Sequence, residues 1–307
     1  MSMKPADMAD RIGRGLLSFP VTHFNDKDRF DPEAYRRHCG WLLQHDIAGL
    51  FAAGGTGEFF SLRPDEVFEV VSSAVAETHG RVPVIVGCGH GTSTAIHLAR
   101  GAEERGADGI LLLPPYLVNS EQRGLTEHIE RVCKSVSIGV IVYNRDNAIV
   151  TDETLARLCD RNSNLVGFKD GVGDLELLTR IHTRLGTRLT YIGGMPTHET
   201  YALPYQAVGV TTYSSAIFNF MPEWALRFHK AVRANDRATV QGYLRDFVLP
   251  YIAIRNREKG FAVSIVKAGC KLVGRPAGPV RAPLMDLKPA DLEDLRKLME
   301  RAGAKLA

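Results

Sequence analysis

Long apolar runs, clustered cysteines and paired histidines are all missing from this sequence. No stretch approaches the roughly 20 consecutive apolar residues that a membrane-spanning helix requires. The five cysteines, Cys39, Cys88, Cys133, Cys159 and Cys270, are scattered, odd in number and without CxxC spacing. They read as reduced thiols of a cytoplasmic protein, not as a disulfide framework. The ten histidines form no HxH or HExxH cluster, so no metal is expected. Charge of one sign is missing too. The net charge is +3 with acids and bases interspersed, which leaves no footprint for nucleic acid or a membrane surface. The opening MSMKPADMADRIGRG is polar and lacks the apolar centre of a signal peptide.

What remains is an ordinary globular composition. The chain has 307 residues, 45% of them hydrophobic, enough for one large core or two small ones. Short β-rich runs recur along most of it: Leu16–Val21, Gly49–Ala53, Val82–Gly87, Gly109–Leu113, Ile138–Tyr143, Leu165–Lys169, Leu189–Gly193 and Gly209–Tyr213. Segments with helical periodicity lie between them, among them Pro64–Thr78, Thr92–Arg105 and Thr151–Arg161. Pro64-Asp65-Glu66 and Thr151-Asp152-Glu153 carry helix start signals, with proline or a hydroxyl followed by acids. Alternation of this kind predicts either a closed (β/α)₈ barrel or a doubly wound open sheet. Eight units in about 215 residues match barrel economy, whereas an open sheet of that length usually splits in two. We therefore expect an α/β chain with a (β/α)₈ TIM barrel over residues 1–221, carrying the active site. From residue 222 to 307 only helices are expected, at Pro222–Ala234, Arg237–Asn256, Phe261–Val273 and Pro289–Ala302.

In such a barrel, chemistry sits at the C-terminal ends of the strands. The sixth expected strand ends in Lys169 and the fifth in Tyr143, while the turn Gly54-Gly55-Thr56-Gly57-Glu58 follows the second. A desolvated lysine has a lowered pKa, and its neutral amine can attack a ketone to form a Schiff base. A rim lysine snorkelling to water beside Asp170 stands equal with that reading on position alone. Tyr143 could shuttle protons at the imine carbon, although packing is the commoner fate of a strand aromatic. The glycine turn could bind a carboxylate with successive N–H groups, or be a simple connection. VGCGHGTSTA resembles a dinucleotide fingerprint, but its third glycine position holds Thr92 and no acid follows at the right place. Cys88 and His90 in that turn make only two potential metal ligands.

Taken jointly, GGTGE after strand two, PPY at 114–116, a tyrosine after strand five and GFKD after strand six resemble the dihydrodipicolinate synthase/N-acetylneuraminate lyase family. The resemblance covers nearly the whole chain. It implies a class I aldolase-type barrel, a homotetramer or dimer, with no metal or organic cofactor. By position it makes Lys169 the Schiff-base lysine and Tyr143 the proton-relaying tyrosine, with Gly55 and Thr56 on the carboxylate of a 2-oxo acid. Departures from the synthase pattern are clear: Gly55-Thr56 replaces two hydroxyl residues, Leu117 replaces the tyrosine donated across a subunit interface, and Ala148 replaces the substrate-binding arginine. The lyase branch fits poorly, because GGMPTHET replaces its acid-bearing loop. FAAGGTGEFFSL, VYNRDNA, GFKDGVGD and TTYSSAIFNF instead resemble the branch of decarboxylating dehydratases acting on 5-dehydro-4-deoxyglucarate. That branch implies a small sugar-acid substrate. Asn147, Thr197, Ser214 and the Arg145-Asp146 pair are the candidates for its far end. The alternatives are another aldolase-type enzyme for 2-oxo sugar acids, or a non-catalytic sugar-acid-binding barrel.

Overall fold

The computed structural model describes residues 2–307. Eight parallel strands close in chain order: β1 (Leu17–Ser18), β2 (Gly49–Ala52), β3 (Val84–Cys88), β4 (Gly109–Leu112), β5 (Gly139–Asn144), β6 (Leu165–Asp170), β7 (Thr190–Gly193) and β8 (Thr212–Ser215). β1 pairs with both β2 and β8, which seals the ring and leaves no sheet edge. The barrel predicted from the alternation is present, with strand ends displaced by a few residues.

An element that sequence periodicity did not announce comes first. Helix α1 (Pro5–Ile12) plugs the base of the barrel, burying Met8 and Ile12 among the inward side chains Leu17, Phe51, Ile85 and Ile141. Its intrusion explains why β4 and β5 both open on glycine. A Cβ at Gly109 would lie 2.5 Å from the Met8 sulfur, and one at Gly139 would lie 2.5 Å from the Met8 methyl.

Around the strands run α2 (Pro32–Leu42), α3 (Pro64–Thr78), α4 (Thr92–Glu104), α5 (Gln122–Cys133), α6 (Asp152–Arg161), α7 (Leu175–Leu185), α8 (Ala202–Ala207) and α9 (Pro222–Arg233). Their starts follow local chemistry. Thr151 Oγ accepts the Thr154 N–H at 3.2 Å ahead of α6, and Asp174 accepts the Leu177 N–H at 3.0 Å ahead of α7. α9 stands directly after β8, where the alternation places an eighth helix.

Three further helical stretches follow. The expected single helix 237–256 is α10 (Arg237–Tyr243), a π-helical turn (Leu244–Val248) and α11 (Leu249–Arg255). Pro250 is the physical cause. It has no N–H to donate and its ring would press on the carbonyl of residue 246, so the preceding turn widens and Leu249 N–H bonds to Leu244 O. α12 (Phe261–Leu272) and α13 (Pro289–Arg301) pack against α11, and the strap between them crosses the barrel mouth.

Two salt-bridge clusters pin that strap. Lys267 on α12 bonds Glu58 at 2.7 Å with both side chains buried, and Glu58 also accepts the Arg281 N–H at 3.1 Å. The Arg281 guanidinium grips Glu66 through both carboxylate oxygens, at 2.7 and 2.8 Å. The acid of GGTGE therefore fastens its loop to the helical tail. All five cysteines are buried and unbonded to one another. Among the described residues no helix is long and apolar enough to cross a membrane, and no three His, Cys, Asp or Glu side chains are grouped to hold a metal ion.

Candidate active site

Register brings the two expected catalytic residues together. β5 and β6 pair Tyr143 with Lys169 directly, so both side chains point into the barrel, while the paired Asn144 and Asp170 point the other way. Asp170 is fully engaged there. It accepts from Asn144 Nδ2 at 3.1 Å, from the Tyr205 hydroxyl at 2.5 Å and from the Gly173 N–H at 3.1 Å. The snorkelling lysine paired with Asp170 is therefore not what forms. Lys169 is 4% exposed and forms no ion pair with any described carboxylate. Its Nζ lies 4.0 Å from the centre of the Tyr143 ring and 4.5 Å from that of Phe19.

That environment changes the amine. Burial, reinforced by the Arg145 guanidinium, lowers the Lys169 pKa to about 7. A substantial neutral fraction is then available near neutral pH, which Schiff-base formation requires. The backbone makes room for it. A Cβ at Gly194 would sit 2.8 Å from Lys169 Cγ and 2.9 Å from Cε, so only glycine fits where β7 ends. His198 is buried against Tyr205 and Tyr213, and burial together with the Lys169 charge lowers its pKa to about 3, which keeps it neutral.

Tyr143 donates its hydroxyl to the Gly194 carbonyl at 2.8 Å and accepts from Arg145 Nη1 at 3.1 Å. Burial raises its pKa, and the neighbouring guanidinium works against that rise. A phenol bonded on both sides beside an amine is a group that can give and retrieve a proton.

A cavity of ≈ 370 Å³ opens over Lys169. Gly55, Thr56, Thr197 and Ser214 line it together with Lys169 and Tyr143. The Gly55 and Thr56 N–H groups have no protein acceptor among the described residues, so they stand free to bind an anion. Gly55 itself is open: a Cβ there meets nothing within 4 Å. A side chain at this position would therefore meet no protein atom and would not strain the turn. Asn147 is not in this cavity. Its Nδ2 donates to the carbonyls of Pro115, at 2.8 Å, and Val118, holding the loop after β4 above a neighbouring hollow. Arg145 faces the cavity but already bonds Asp146 at 3.2 Å.

Tyr251 and Arg255 on α11 also line the cavity, and sequence reasoning missed both. The only available signal was Pro250 inside a helical pattern, which marks a distortion but not its direction. Backbone strain gathers at the same mouth. The non-glycine residues Ala53, Glu58, His90, Leu117, Asp146 and Thr197 all have positive φ and all lie on loops that follow strands.

The Dihydrodipicolinate synthetase family model matches residues 13–302. The chain belongs to that family. Within the dihydrodipicolinate synthetase family it is 62% identical to a probable 5-dehydro-4-deoxyglucarate dehydratase of Bradyrhizobium sp. (strain ORS 278), over 97% of this chain and 95% of that protein. A protein of the same description from Methylobacterium radiotolerans is 63% identical, covering 97% of this chain and 98% of its own. Among solved structures, dihydrodipicolinate synthase from Bacillus clausii superposes with a TM-score of 0.87 at 26% identity, over 96% of this chain and 99% of that one. A prophage protein of the same family from E. coli K12, solved with pyruvate, gives 0.84 at 27% identity, over 95% and 99%. The dehydratase branch read from the loops agrees with the names these sequence relatives carry, and the chain is an enzyme of their family.

Proposed function

We propose that this protein converts 5-dehydro-4-deoxy-D-glucarate to 2,5-dioxopentanoate, CO₂ and water through a Schiff base on Lys169. The observation that carries the reading is a buried lysine with no anionic partner, its pKa near 7, paired across the sheet with Tyr143. The relatives at about 60% identity and their shared name support this substrate.

The chemistry follows from the groups in place. The free N–H groups of Gly55 and Thr56 hold the carboxylate beside the ketone. Neutral Lys169 attacks the ketone carbon C5, and loss of water leaves a protonated imine. Tyr143, positioned at the lysine, exchanges the protons of that addition. A proton leaves C4 and gives an enamine, which expels the C3 hydroxyl as water. The conjugated iminium then accepts the electron pair freed when the C1–C2 bond breaks and CO₂ departs. Reprotonation of the dienamine and hydrolysis release 2,5-dioxopentanoate and restore Lys169. Thr197 and Ser214 meet the far part of the substrate. Exposed Phe60, Tyr116, Leu117 and Val118 beside the mouth support a homo-oligomer, a tetramer or a dimer.

The test is direct. Purified protein with 5-dehydro-4-deoxyglucarate should release CO₂ and a semialdehyde, and borohydride should leave on the peptide bearing Lys169 the mass of a substrate- or product-derived oxo acid less water and plus two hydrogens. Lys169→Arg should do neither, because a guanidinium keeps its proton. Pyruvate release without CO₂ would instead indicate aldol cleavage of a 2-oxo sugar acid. A borohydride adduct on another residue would reject the mechanism.

A further inference from the structure

The cavity over Lys169 carries more positive charge than the near end of the substrate uses. Arg255 lines it, half-buried, and its hydrogen-bond partners among the described residues are neutral: Thr197 Oγ1 at 2.5 Å and Asn256 Oδ1 at 3.1 Å. No described carboxylate lies within ion-pair distance of it. Three other arginines, one buried and two exposed, are matched to acids: Arg281 to Glu66 at 2.7 Å, Arg257 to Asp291 at 2.7 Å, and Arg184 to Asp152 at 2.7 Å. Arg145 in the same cavity has Asp146. Arg255 alone among these faces the cavity without an anion.

Its neighbour Thr197 is held in an uncommon conformation. φ is 51° and ψ is 63°, a left-handed geometry that a β-branched side chain resists. The geometry sets the Thr197 hydroxyl against the guanidinium as an acceptor, and the hydroxyl proton finds no acceptor among the described residues. A guanidinium and a hydroxyl thus present unused donors to one space. Glu199, the acid behind them, forms no ion pair with Arg255. It is buried and accepts from Ser215 Oγ at 2.7 Å; burial raises its pKa, and the Arg255 guanidinium works against that rise. The widened turn before α11, forced by Pro250, precedes the helix that carries Arg255 to the cavity.

We infer that Arg255, with Thr197, binds the carboxylate at the far end of the substrate and makes the site selective for dianionic over monoanionic 2-oxo acids. The inference rests on the proposed reading that the ketone end lies at Lys169 and the loop of Gly55 and Thr56. Arg255 moves no proton in this role, so it is a specificity residue. Substrate charge is then read by the helical tail, while the barrel performs the chemistry.

Two probes of equal chain length isolate the far carboxylate: 2-oxoadipate and 2-oxohexanoate, with binding measured by titration calorimetry. Wild type should bind 2-oxoadipate about 10- to 100-fold more tightly, the range of a charge-assisted, bidentate contact. Arg255→Gln should bring the ratio close to one while leaving 2-oxohexanoate affinity within about threefold, and Arg255→Lys should fall between. Absence of a preference in wild type overturns the inference, as does a preference that survives in Arg255→Gln. Borohydride trapping with pyruvate reports on Lys169 separately. A preference for 2-oxoadipate without any trapped adduct would remove the Schiff base and keep Arg255, and an adduct without the preference would do the reverse.

Discussion

Replacing Lys169 by methionine should make this protein more stable. The side chain is 4% exposed and has no anionic partner, so the folded state carries the cost of a desolvated ammonium. A pKa that falls from 10.5 to about 7 is worth about 5 kcal/mol at roughly 1.4 kcal/mol for each tenfold loss of proton affinity. The pH window follows from the two values. Below pH 7 both states hold the proton and the full penalty applies. Between 7 and 10.5 the unfolded lysine keeps a proton that the folded one sheds, so wild-type stability climbs. Above 10.5 both are neutral and the penalty is gone. At pH 7 the penalty is about 4 kcal/mol, and ring contacts of Nζ with Tyr143 and Phe19 return roughly 0.5–2 kcal/mol that methionine forfeits. Lys169→Met, which keeps the straight aliphatic stem, should therefore gain about 2–4 kcal/mol at pH 7. Urea unfolding followed by circular dichroism at pH 6.5, 8 and 9.5 would show the gain shrinking to about a third by the last value. A variant no more stable than wild type at pH 7, or a gain independent of pH, would refute the reasoning that burial strips this lysine of its proton.

The same amine governs kinetics: borohydride-trappable imine should form faster as pH rises through about 7, and Arg145→Leu should move that limb to higher pH, since it removes the cation that helps lower the Lys169 pKa. Tyr143→Phe should still bind substrate but turn over about 10²- to 10⁴-fold more slowly; a near-normal rate in steady-state assays would return Tyr143 to a packing role. Gly55→Thr should fold with unchanged melting temperature, because its Cβ meets nothing within 4 Å, yet lose turnover by crowding the bound carboxylate. Thr56→Val beside it should cost only about 0.5–1.5 kcal/mol of binding, one neutral hydrogen bond. Glu58→Ala should destabilise by roughly 3–5 kcal/mol in urea, since it leaves the buried Lys267 ammonium unpaired.

What the amino-acid order determined by itself was whatever depends on neighbours a few residues away. Pro64 and Thr151 start helices because the relevant N–H groups lie within one turn of them. The alternation of β-rich and helical runs encodes which face each segment must bury, and that suffices for a closed barrel. Lys169 and Tyr143 were legible because strand ends converge in any such barrel. The tertiary structure decided the rest. α1 shows only Met8 and Ile12 to the interior, too short an apolar signal to announce a plug. Asn147 turned to loop carbonyls that needed a donor, and no sequence pattern states which carbonyls those will be. Glu58 and Lys267 are a buried pair separated by most of the chain, and Arg255 meets Thr197 only because a proline-widened turn and the packing of α11 on α13 bring it there. Local sequence sets the elements, but the side chains that share a cavity are chosen by how those elements pack, and packing is settled over the whole molecule.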